Sequence, residues 1–319
     1  MDSPKVSVII PAYNVRQYIR DAINSLRHQS YSRFEAIIVD DGSTDDTAEV
    51  VRLVCEQDTR FRLLQKQNGG LSSARNHGIH HARTEYIALL DADDVYHPDK
   101  LLCHLAVLEA STSVGVVYSA SRILRDDGEL TWMQLSGKPI STDPLRSLLC
   151  KNFIGHGSNA VFRREIVDEV GFFDETLRSS EDLDFWLRIA ATQHWQFYRL
   201  SAPLSFYRVR PTGLSFNVQQ MQACHLRVLE AAYQRSPELV APVLPTARAY
   251  LYRYLARIAL TADDSAQAHQ LMKQAWTEDA SIFWQDPRSL LTMLAVQLAP
   301  IAQPVLRRVL DRDRSKSPA

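Results

Sequence analysis

Apolar and polar positions follow two different periods over the first 120 residues of this chain. Continuous apolar runs, typical of strands buried on both faces of a sheet, occur at 6–10, 34–40, 61–66, 86–91 and 114–120. Apolar residues spaced three or four apart predict intervening helices at 16–29, 43–57, 72–82 and 98–110. Ser43 is expected to cap the second helix, with Asp45 and Asp46 in its first turn. Strands alternating with helices predict an α/β fold, with a mostly parallel sheet and helices on both faces.

The carboxyl ends of these parallel strands are where a ligand is expected. Ligands of open α/β sheets bind in the crevice outside the carboxyl ends of the strands. The segments after residues 10, 40 and 91 are therefore expected to lie along one rim.

The pattern changes after residue 120. Asp127-Gly128 between two apolar segments predicts a hairpin turn, and residues 156–163 predict a short strand. A helix beginning near Glu181 is expected to bury Trp186 in the core rather than expose it to a sugar. Two late strands are predicted, WQFYRL at 195–200 and PLSFYRV at 203–209.

Residues from 217 onwards are helix-rich and contain no motif that indicates a function. We therefore predict a catalytic domain over 1–216 and a helical extension over 217–319. The extension can enlarge the acceptor site, mediate dimerisation or contact a membrane. Its segment Leu290–Leu310, with Arg307 and Arg308, is mildly amphipathic. Packing inside the protein is favoured, because the polar face holds few basic residues.

Composition narrows the class of protein. The 319 residues include 36 basic and 37 acidic ones, a balance that argues against a nucleic-acid coat and against an acidic disordered chain. The four isolated cysteines exclude a Cys-x-x-Cys zinc knuckle and suit a reducing compartment. The first residues lack a signal-peptide pattern, and Pro300 and Pro304 interrupt the uncharged stretch 289–306. A cytoplasmic protein is expected, with peripheral membrane contact as an open option.

Two candidate segments follow the first and second strands. In Pro11, Ala12, Tyr13 and Asn14, the aromatic ring can stack on a nucleotide base, or it can simply cover the end of the sheet. The adjacent carboxylates Asp40 and Asp41 repel each other and need donors or a cation to stay ionised. Asp41 can accept a hydrogen bond from the imide of uracil; the alternative is a solvated acidic turn that caps a helix.

The third candidate segment contains Asn68, Gly69 and Gly70 immediately before a helix that carries Arg75. Backbone N–H groups at a helix N-terminus favour phosphate, and the arginine adds a positive charge. The alternative is an ordinary glycine-rich turn, because the spacing matches neither a dinucleotide-binding fingerprint nor a phosphate-binding loop.

The fourth and fifth candidate segments are acidic. Asp91, Ala92 and Asp93 follow a buried strand, and the two carboxylates can converge on one Mg²⁺ or Mn²⁺ beside a diphosphate. Glu181 and Asp182 begin a helix, where a carboxylate that faces the cleft can act as a general base. For both pairs the alternative is that the acids cap a helix.

Read in order, these segments resemble the inverting nucleotide-sugar glycosyltransferases of family 2, which have the GT-A fold. The resemblance covers about residues 5–215 and rests on VSVIIPAYN, IIVDDGSTDDT, NGGLSSARNHGI, YIALLDADD, GSNAVFRRE and GFFDETLRSSEDLDFWLRIA. It implies transfer of a sugar from a nucleoside-diphosphate donor, UDP-sugar being favoured, to a hydroxyl of a glycan, lipid-linked or protein acceptor. Such enzymes commonly assemble surface polysaccharide, lipopolysaccharide or glycolipid at the cytoplasmic face of a membrane.

The resemblance also implies a role for each matching residue. Pro11, Tyr13 and Asp41 would hold the base and ribose, and the segment 68–75 would line the diphosphate pocket. Asp91 and Asp93 would form the Asp-x-Asp metal pair, with Asp93 the more direct ligand. Asp182 would be the catalytic base, with Glu181 beside it. Residues 156–159 would form part of the acceptor wall.

One position departs from the family pattern. Many members have a Tyr-Arg-x-His stretch whose histidine assists metal or diphosphate binding, whereas this chain has Arg210 there, followed by Pro211. An arginine does not ligate Mg²⁺ but pairs well with phosphate. The substitution leaves open a weaker dependence on metal, or a catalytically impaired scaffold that still binds the nucleotide sugar.

Two other enzyme classes explain less of the chain. The string Asp91–Val95 also fits the first motif of haloacid-dehalogenase-type phosphatases, whose first aspartate is a nucleophile. This chain lacks the later acidic motif of those phosphatases, and phosphatase activity would leave the other rim segments unexplained. A nucleotidyltransferase would have a glycine-rich basic loop after the first strand, where this chain has PAYNVRQY.

Overall fold

The computed structural model describes residues 3–135, 142–210 and 217–299. The chain divides into two compact units, Met1–Leu148 with Asn152–Gly213, and Leu149–Lys151 with Leu214–Ala319. Pro211, Arg307, Arg308 and the basic tail lie outside the described residues.

In its described residues, the first unit contains nine strands and the helices that connect them. The strands are β1 Val6–Ala12, β2 Phe34–Asp40, β3 Phe61–Gln65, β4 Tyr86–Leu89, β5 Val95–Tyr96, β6 Val114–Leu124, β7 Leu130–Leu135, β8 Val161–Arg163 and β9 Gln196–Arg208. The helices are α1 Ile19–Arg27, α2 Thr47–Gln57, α3 Leu71–His81, α4 Lys100–Ala110, α5 Pro144–Cys150, α6 Glu165–Val170 and α7 Glu181–Ala191, with a 3₁₀ turn at Gly157–Asn159.

The strands form one mixed sheet in the order β3-β2-β1-β4-β8-β6-β9-β5, and β7 pairs with β6. The first four strands are parallel, with Val8 beside both Ala36 and Ala88. β8 runs antiparallel to β4 and β6, so β6 and its parallel neighbour β9 point the same way as β4. The carboxyl ends of β1, β2, β4 and β6 therefore lie at one rim.

Both faces of the parallel half are covered, which confirms the predicted layers. Alternate residues of β1, such as Val8 and Ile10, belong to a core with the apolar faces of α1, α2 and α4. Ile9 points to the opposite face, towards α3, where a Cβ on Gly78 would lie 2.5 Å from its Cγ2. This close approach of helix to strand explains the glycine. Trp186 is fully buried in the core, as predicted.

Three local predictions are wrong. Helix α2 begins at Thr47 rather than near Ser43, because the Asp45 carboxylate accepts bonds from the Thr47 amide and hydroxyl. Residues 156–163 form a 3₁₀ turn and only then the short strand β8. The two late strands are one strand, β9, whose pairing with β6 shifts register near Ala120.

The second unit is helical in its described part, as predicted. Its helices are α8 Val218–Arg235, α9 Pro237–Val240, α10 Leu244–Thr261, α11 Ser265–Glu278, α12 Ile282–Gln285 and a helix over 287–299. Side-chain caps at Asn217 and Asp264 accept from the amides of Gln220 and Gln267 and fix two helix starts. Over the residues that the structure describes, no helix has the length and apolar content needed to cross a membrane.

Candidate active site

The segments after β1 and β2 are joined at the rim by Asn14. Its side-chain oxygen accepts a hydrogen bond from the backbone amide of Thr44 at 2.8 Å. The backbone amide of Asn14 donates to the Ser43 hydroxyl at 3.0 Å. Asn14 has a φ of 51°, a left-handed conformation that asparagine tolerates better than most residues. Pro11 and Ala12 are buried at the end of β1, whereas Tyr13 is 49% exposed. Of these four residues, Tyr13 is the one with a free aromatic face.

Asp41 organises the glycine-rich loop. Its buried carboxylate accepts from Lys66 Nζ at 2.7 Å and from the Gly70 amide at 2.7 Å, with the Gly69 amide at 3.0 Å. Asn68 donates to the Asp41 carbonyl at 2.9 Å. The amides of Gly69 and Gly70 thus point to a carboxylate, so the sequence expectation that they are available for phosphate does not hold in this arrangement.

Asp40 accepts hydrogen bonds from donors other than those of Asp41, so the negative charges of the two adjacent carboxylates are both stabilised. It accepts from the Ser43 amide and the Gln65 side chain, each at 3.1 Å. Sequence reasoning assigned no role to Lys66, the counter-ion of Asp41. Its place at the end of β3, which pairs with β2, is the signal that could have identified it.

Arg75 connects the two acidic motifs. Its guanidinium is buried and pairs with Asp91 Oδ1 and with Glu181 Oε1, both at 2.7 Å. These contacts hold α3, the end of β4 and the start of α7 together, and the two carboxylates raise the pKa of Arg75 further above its usual value. A Cβ on Gly157 would lie 2.4 Å from Arg75 Nη2, so glycine is needed there. Glu181 is consequently an ion-pair partner of Arg75 within the candidate site.

Asp94 is the buried member of the acidic turn. It accepts from the Ser158 hydroxyl at 2.5 Å and from the Arg208 amide at 2.8 Å, and His156 Nδ1 lies 3.5 Å away. Ser158 in turn accepts from the Asp91 amide at 2.9 Å. Asp94 therefore positions the turn and its neighbours, a role that only the folded contacts reveal.

Asp93 is more exposed than its neighbour Asp94, with 18% of its side chain accessible against 1%. Burial, together with the nearby charges of Asp94 and Asp91, raises the pKa of Asp93 to about 7. Its ion-pair partner is Arg210, whose Nε lies 2.8 Å from Asp93 Oδ2. The guanidinium of Arg210 also lies over the ring of Tyr18, 5.1 Å from its centroid. Arg210 is thus placed at the Asp-x-Asp motif, directly on the predicted metal ligand.

Asp182 opens helix α7 and is half-buried. It accepts from the Leu183 amide at 2.7 Å and from Asn152 Nδ2 at 3.2 Å. Burial first, and then the charge of Glu181, raise the pKa of Asp182 to about 6. A carboxylate with this pKa is poised to exchange a proton near neutral pH. Asn152 is a contact that sequence reasoning missed.

The acidic motif fits a divalent cation that is shared with a ligand. In residues 3–135, 142–210 and 217–299, no group of three or more His, Cys, Asp or Glu side chains is arranged to hold a metal. Asp91 and Asp93 supply carboxylate oxygens, which Mg²⁺ and Mn²⁺ prefer, and both side chains are partly exposed. Two carboxylates leave coordination positions for phosphate and water.

The sequence is similar to those of known glycosyltransferases. The sequence profile described as glycosyl transferase family 2 matches residues 7–171. EpsJ of Bacillus subtilis (strain 168), described as an uncharacterized glycosyltransferase, is 33% identical over 66% of this chain and 63% of its own length. The chondroitin synthase of Pasteurella multocida is 31% identical over 59% of this chain and 19% of its own. The matched region spans roughly a quarter to under two thirds of the first curated relatives.

Solved structures show the same fold. The mannosyltransferase PcManGT of Pyrobaculum calidifontis, in complex with GDP-Man and Mn²⁺, has a TM-score of 0.61 at 23% identity, covering 96% of this chain and 88% of that one. Residues 1–349 of S. aureus TarS, in complex with UDP-GlcNAc, have a TM-score of 0.55 at 18% identity, covering 87% and 91%. These similarities confirm the expected GT-A architecture with helices on both faces of a central sheet.

Proposed function

This chain belongs to glycosyltransferase family 2, and we propose that it transfers a sugar from a nucleoside-diphosphate donor to an acceptor hydroxyl, with inversion at the anomeric carbon. The observation that carries the proposal is the link through Arg75. This buried guanidinium connects Asp91 with Glu181, the neighbour of Asp182 in the sequence, which supports a common site for the proposed base and the proposed metal ligands.

The rim suits a nucleotide donor. The exposed ring of Tyr13 is available for a base at the end of β1, where the Ala12 carbonyl accepts from the Asp41 amide at 2.8 Å. The segment that begins at Asn68 follows β3, which is parallel to β2 and so ends at the same rim, and Arg210 provides a cation for phosphate. UDP is the favoured nucleotide; the nucleotide-sugar complexes of PcManGT and TarS support the donor class.

Mg²⁺ or Mn²⁺, held by Asp91 and Asp93, would supply Lewis-acid stabilisation of the leaving diphosphate when bound. In the described structure Asp93 pairs with Arg210. Arginine and metal therefore compete for one carboxylate. Once released from Asp93, Arg210 is free to pair with the diphosphate, so the departure from the family histidine is compatible with activity.

Proton transfer is assigned to Asp182. Its carboxylate takes the proton of the acceptor hydroxyl, and that oxygen attacks the anomeric carbon from the face opposite the diphosphate. The bond between the anomeric carbon and the diphosphate oxygen breaks, and the nucleoside diphosphate leaves with that electron pair. Asn152 and the Leu183 amide orient the carboxylate, while the Arg75–Glu181 pair fixes the start of its helix. The acceptor is proposed to be a glycan or a lipid-linked saccharide of surface polysaccharide assembly; the chondroitin synthase relative supports this class.

Nucleotide binding is the direct test. We expect one nucleoside diphosphate of a panel of UDP, GDP and dTDP, with CMP as the monophosphate comparison, to raise the thermal midpoint in a Mn²⁺-dependent manner, because a ligand that binds only the folded state stabilises it. The Asp93→Ala variant should lose the metal-dependent part of the shift. Asp168→Ala, a change at an exposed carboxylate on α6, should keep it.

In the same experiment, the Arg210→Ala variant distinguishes the effect of the arginine on Asp93 from the effect of the bound metal ion. With Asp93 unpaired, Mn²⁺ alone should raise the midpoint more than in the unmodified protein, since no arginine has to be displaced. A nucleotide shift without any metal would assign the diphosphate to protein cations. The absence of a shift with every nucleotide would contradict the transferase proposal.

A further inference from the structure

A groove of about 580 Å³ lies along the hairpin that β6 forms with β7, whose turn contains Asp127 and Gly128 as the sequence predicts. We call it the hairpin groove. In the part of the chain that the structure describes, its lining shares no residue with the proposed donor, metal and base sites. Its apolar lining consists of Ile123, Leu130, Trp132, Met133 and Val209.

Trp132 is the main apolar surface of the hairpin groove that reaches solvent. It is 87% exposed, and its neighbour Met133 is 46% exposed. Exposed apolar side chains that line a concave surface are typical of a place where a ligand binds. An indole ring has a flat apolar face and one N–H donor, so it suits a ligand that is apolar on one side and polar at its edges.

The charges of the hairpin groove are balanced. Two basic residues, Arg122 and Arg125, face two acidic ones, Asp126 and Glu129. Arg125 pairs with Glu129, and Arg122 Nε donates to the Thr131 carbonyl at 2.8 Å. Because the formal charges of these described lining residues cancel, the groove favours neither an anion nor a cation. Polar groups beside an exposed indole suit a neutral ligand rich in hydroxyl groups.

The floor of the hairpin groove continues a face of the sheet that reaches the acidic turn. Ile123 of β6 is paired with Tyr207 of β9, and Ser121 shares its face because residues two apart on a strand point the same way. His156 packs on this face, with Nε2 2.8 Å from Ser121 Oγ and its ring 4.8 Å from that of Tyr207. The Nδ1 of the same histidine lies 3.5 Å from Asp94.

Arg208 fixes the hairpin to the turn that carries the proposed metal ligands. Its buried guanidinium donates to the Asp93 carbonyl at 2.8 Å, and to the carbonyls of Arg125 and Asp126 at 3.2 and 3.1 Å. The Tyr18 hydroxyl donates to the Asp126 carboxylate at 2.7 Å. The hairpin groove is therefore one arginine side chain away from the acidic turn.

We propose that the hairpin groove binds a sugar unit of a saccharide acceptor, away from the unit whose hydroxyl reacts, with the indole of Trp132 against the C–H face of that sugar ring. The proposal rests on the transferase function proposed above and gives its acceptor a binding place. The volume of the groove lies within the range of small-ligand sites, roughly 300–1,000 Å³. An anionic ligand fits less well, because Asp126 and Glu129 would repel it.

Binding to an array of bacterial surface oligosaccharides tests the proposal. We expect the full chain to bind at least one oligosaccharide of the array. Calorimetric titration with that oligosaccharide should show about tenfold or more weaker binding by Trp132→Ala, because removal of an aromatic anchor commonly has an effect of this size. Trp132→Phe keeps a smaller aromatic face and should lose less affinity than Trp132→Ala.

Trp284 provides the matched control. It is 73% exposed on α12, in the second unit, and it is not among the residues of the hairpin groove. Trp284→Ala removes the same exposed indole and should bind the oligosaccharide as the unmodified protein does. The nucleotide-dependent thermal shift, measured on each variant, checks that the variant is folded.

Three results would overturn the proposal. The unmodified protein could bind no oligosaccharide of the array, Trp132→Ala could bind as tightly as the unmodified protein, or Trp132→Ala and Trp284→Ala could lose affinity equally. The proposed transferase activity fails separately. A protein that binds an oligosaccharide through Trp132 but shows no thermal shift with any nucleotide would keep the saccharide site and contradict only the transfer reaction.

Discussion

Replacing Asp182 by asparagine is expected to lower kcat by about 10²–10⁴-fold, the range that a positioned general base contributes. Asparagine keeps the size of the side chain and can still meet Asn152 and the Leu183 amide, but it cannot take a proton. Nucleotide affinity should remain within a few-fold, because Asp182 has no role in donor binding. Steady-state kinetics of donor consumption, with binding measured by calorimetry, separate the two quantities.

The pH dependence provides a second readout of the same residue. Burial and Glu181 raise the pKa of Asp182 to about 6, so the carboxylate becomes protonated and inactive as the pH falls through that value. At saturating donor and Mn²⁺, where the proposed metal ligand Asp93 is ionised, kcat should therefore rise with pH up to about 6 and level off above it. Glu181→Gln removes one of the charges that raise this pKa, and its acid limb should move to lower pH.

Two results would contradict this assignment. One is an Asp182→Asn enzyme that keeps kcat. The other is an acid limb that does not move in Glu181→Gln, or one that moves by the same amount in Asp168→Asn, which changes an exposed carboxylate outside the motif.

Replacing Arg75 by methionine is expected to lower the free energy of unfolding by about 3–5 kcal/mol, the usual effect of removing one partner from a buried ion pair. The variant leaves two carboxylates, Asp91 and Glu181, without their counter-ion in a partly buried site. Methionine fills similar space, so the loss of charge rather than volume dominates. Urea denaturation monitored by circular dichroism measures the change.

An exposed ion pair serves as the control for Arg75. Arg16 and Asp46 lie 2.8 Å apart with side chains 63% and 64% exposed, so Arg16→Met should cost about 0–1 kcal/mol. In addition, Glu181→Gln should partly offset the loss of stability caused by Arg75→Met, since it removes one of the two carboxylate charges left unpaired. Equal destabilisation by the two arginine variants would refute the structural role given to Arg75.

Local sequence patterns were sufficient to predict the strands and helices of the parallel half of the fold. Strands such as β1 and β2 are continuous apolar runs, and each helix between them repeats its own apolar spacing, so neighbouring residues determine the element. β9 was predicted as two strands because Ser201 and Pro203 interrupt its apolar pattern. The register shift beside Ala120 of β6 lets β9 continue as one strand. That shift depends on the pairing of β6 with β9 and is not visible in the sequence of β9 alone.

The motifs of the site were also visible in the sequence, but their contacts were not. Arg75 and Glu181 are 106 residues apart, and no local pattern reveals that they pair. The same holds for Lys66 with Asp41 and for Asn152 with Asp182.

The stereochemistry of donor turnover is the most direct test of the proposed reaction. An α-linked nucleotide sugar, either a UDP-sugar or one with the nucleotide that the binding panel selects, would be incubated with the protein and Mn²⁺. Proton NMR would then follow the first anomer that appears in the transferred or hydrolysed sugar, before mutarotation. A single displacement directed by Asp182 predicts the β-anomer first; the α-anomer first, or no turnover of a donor that the protein binds, would contradict the account.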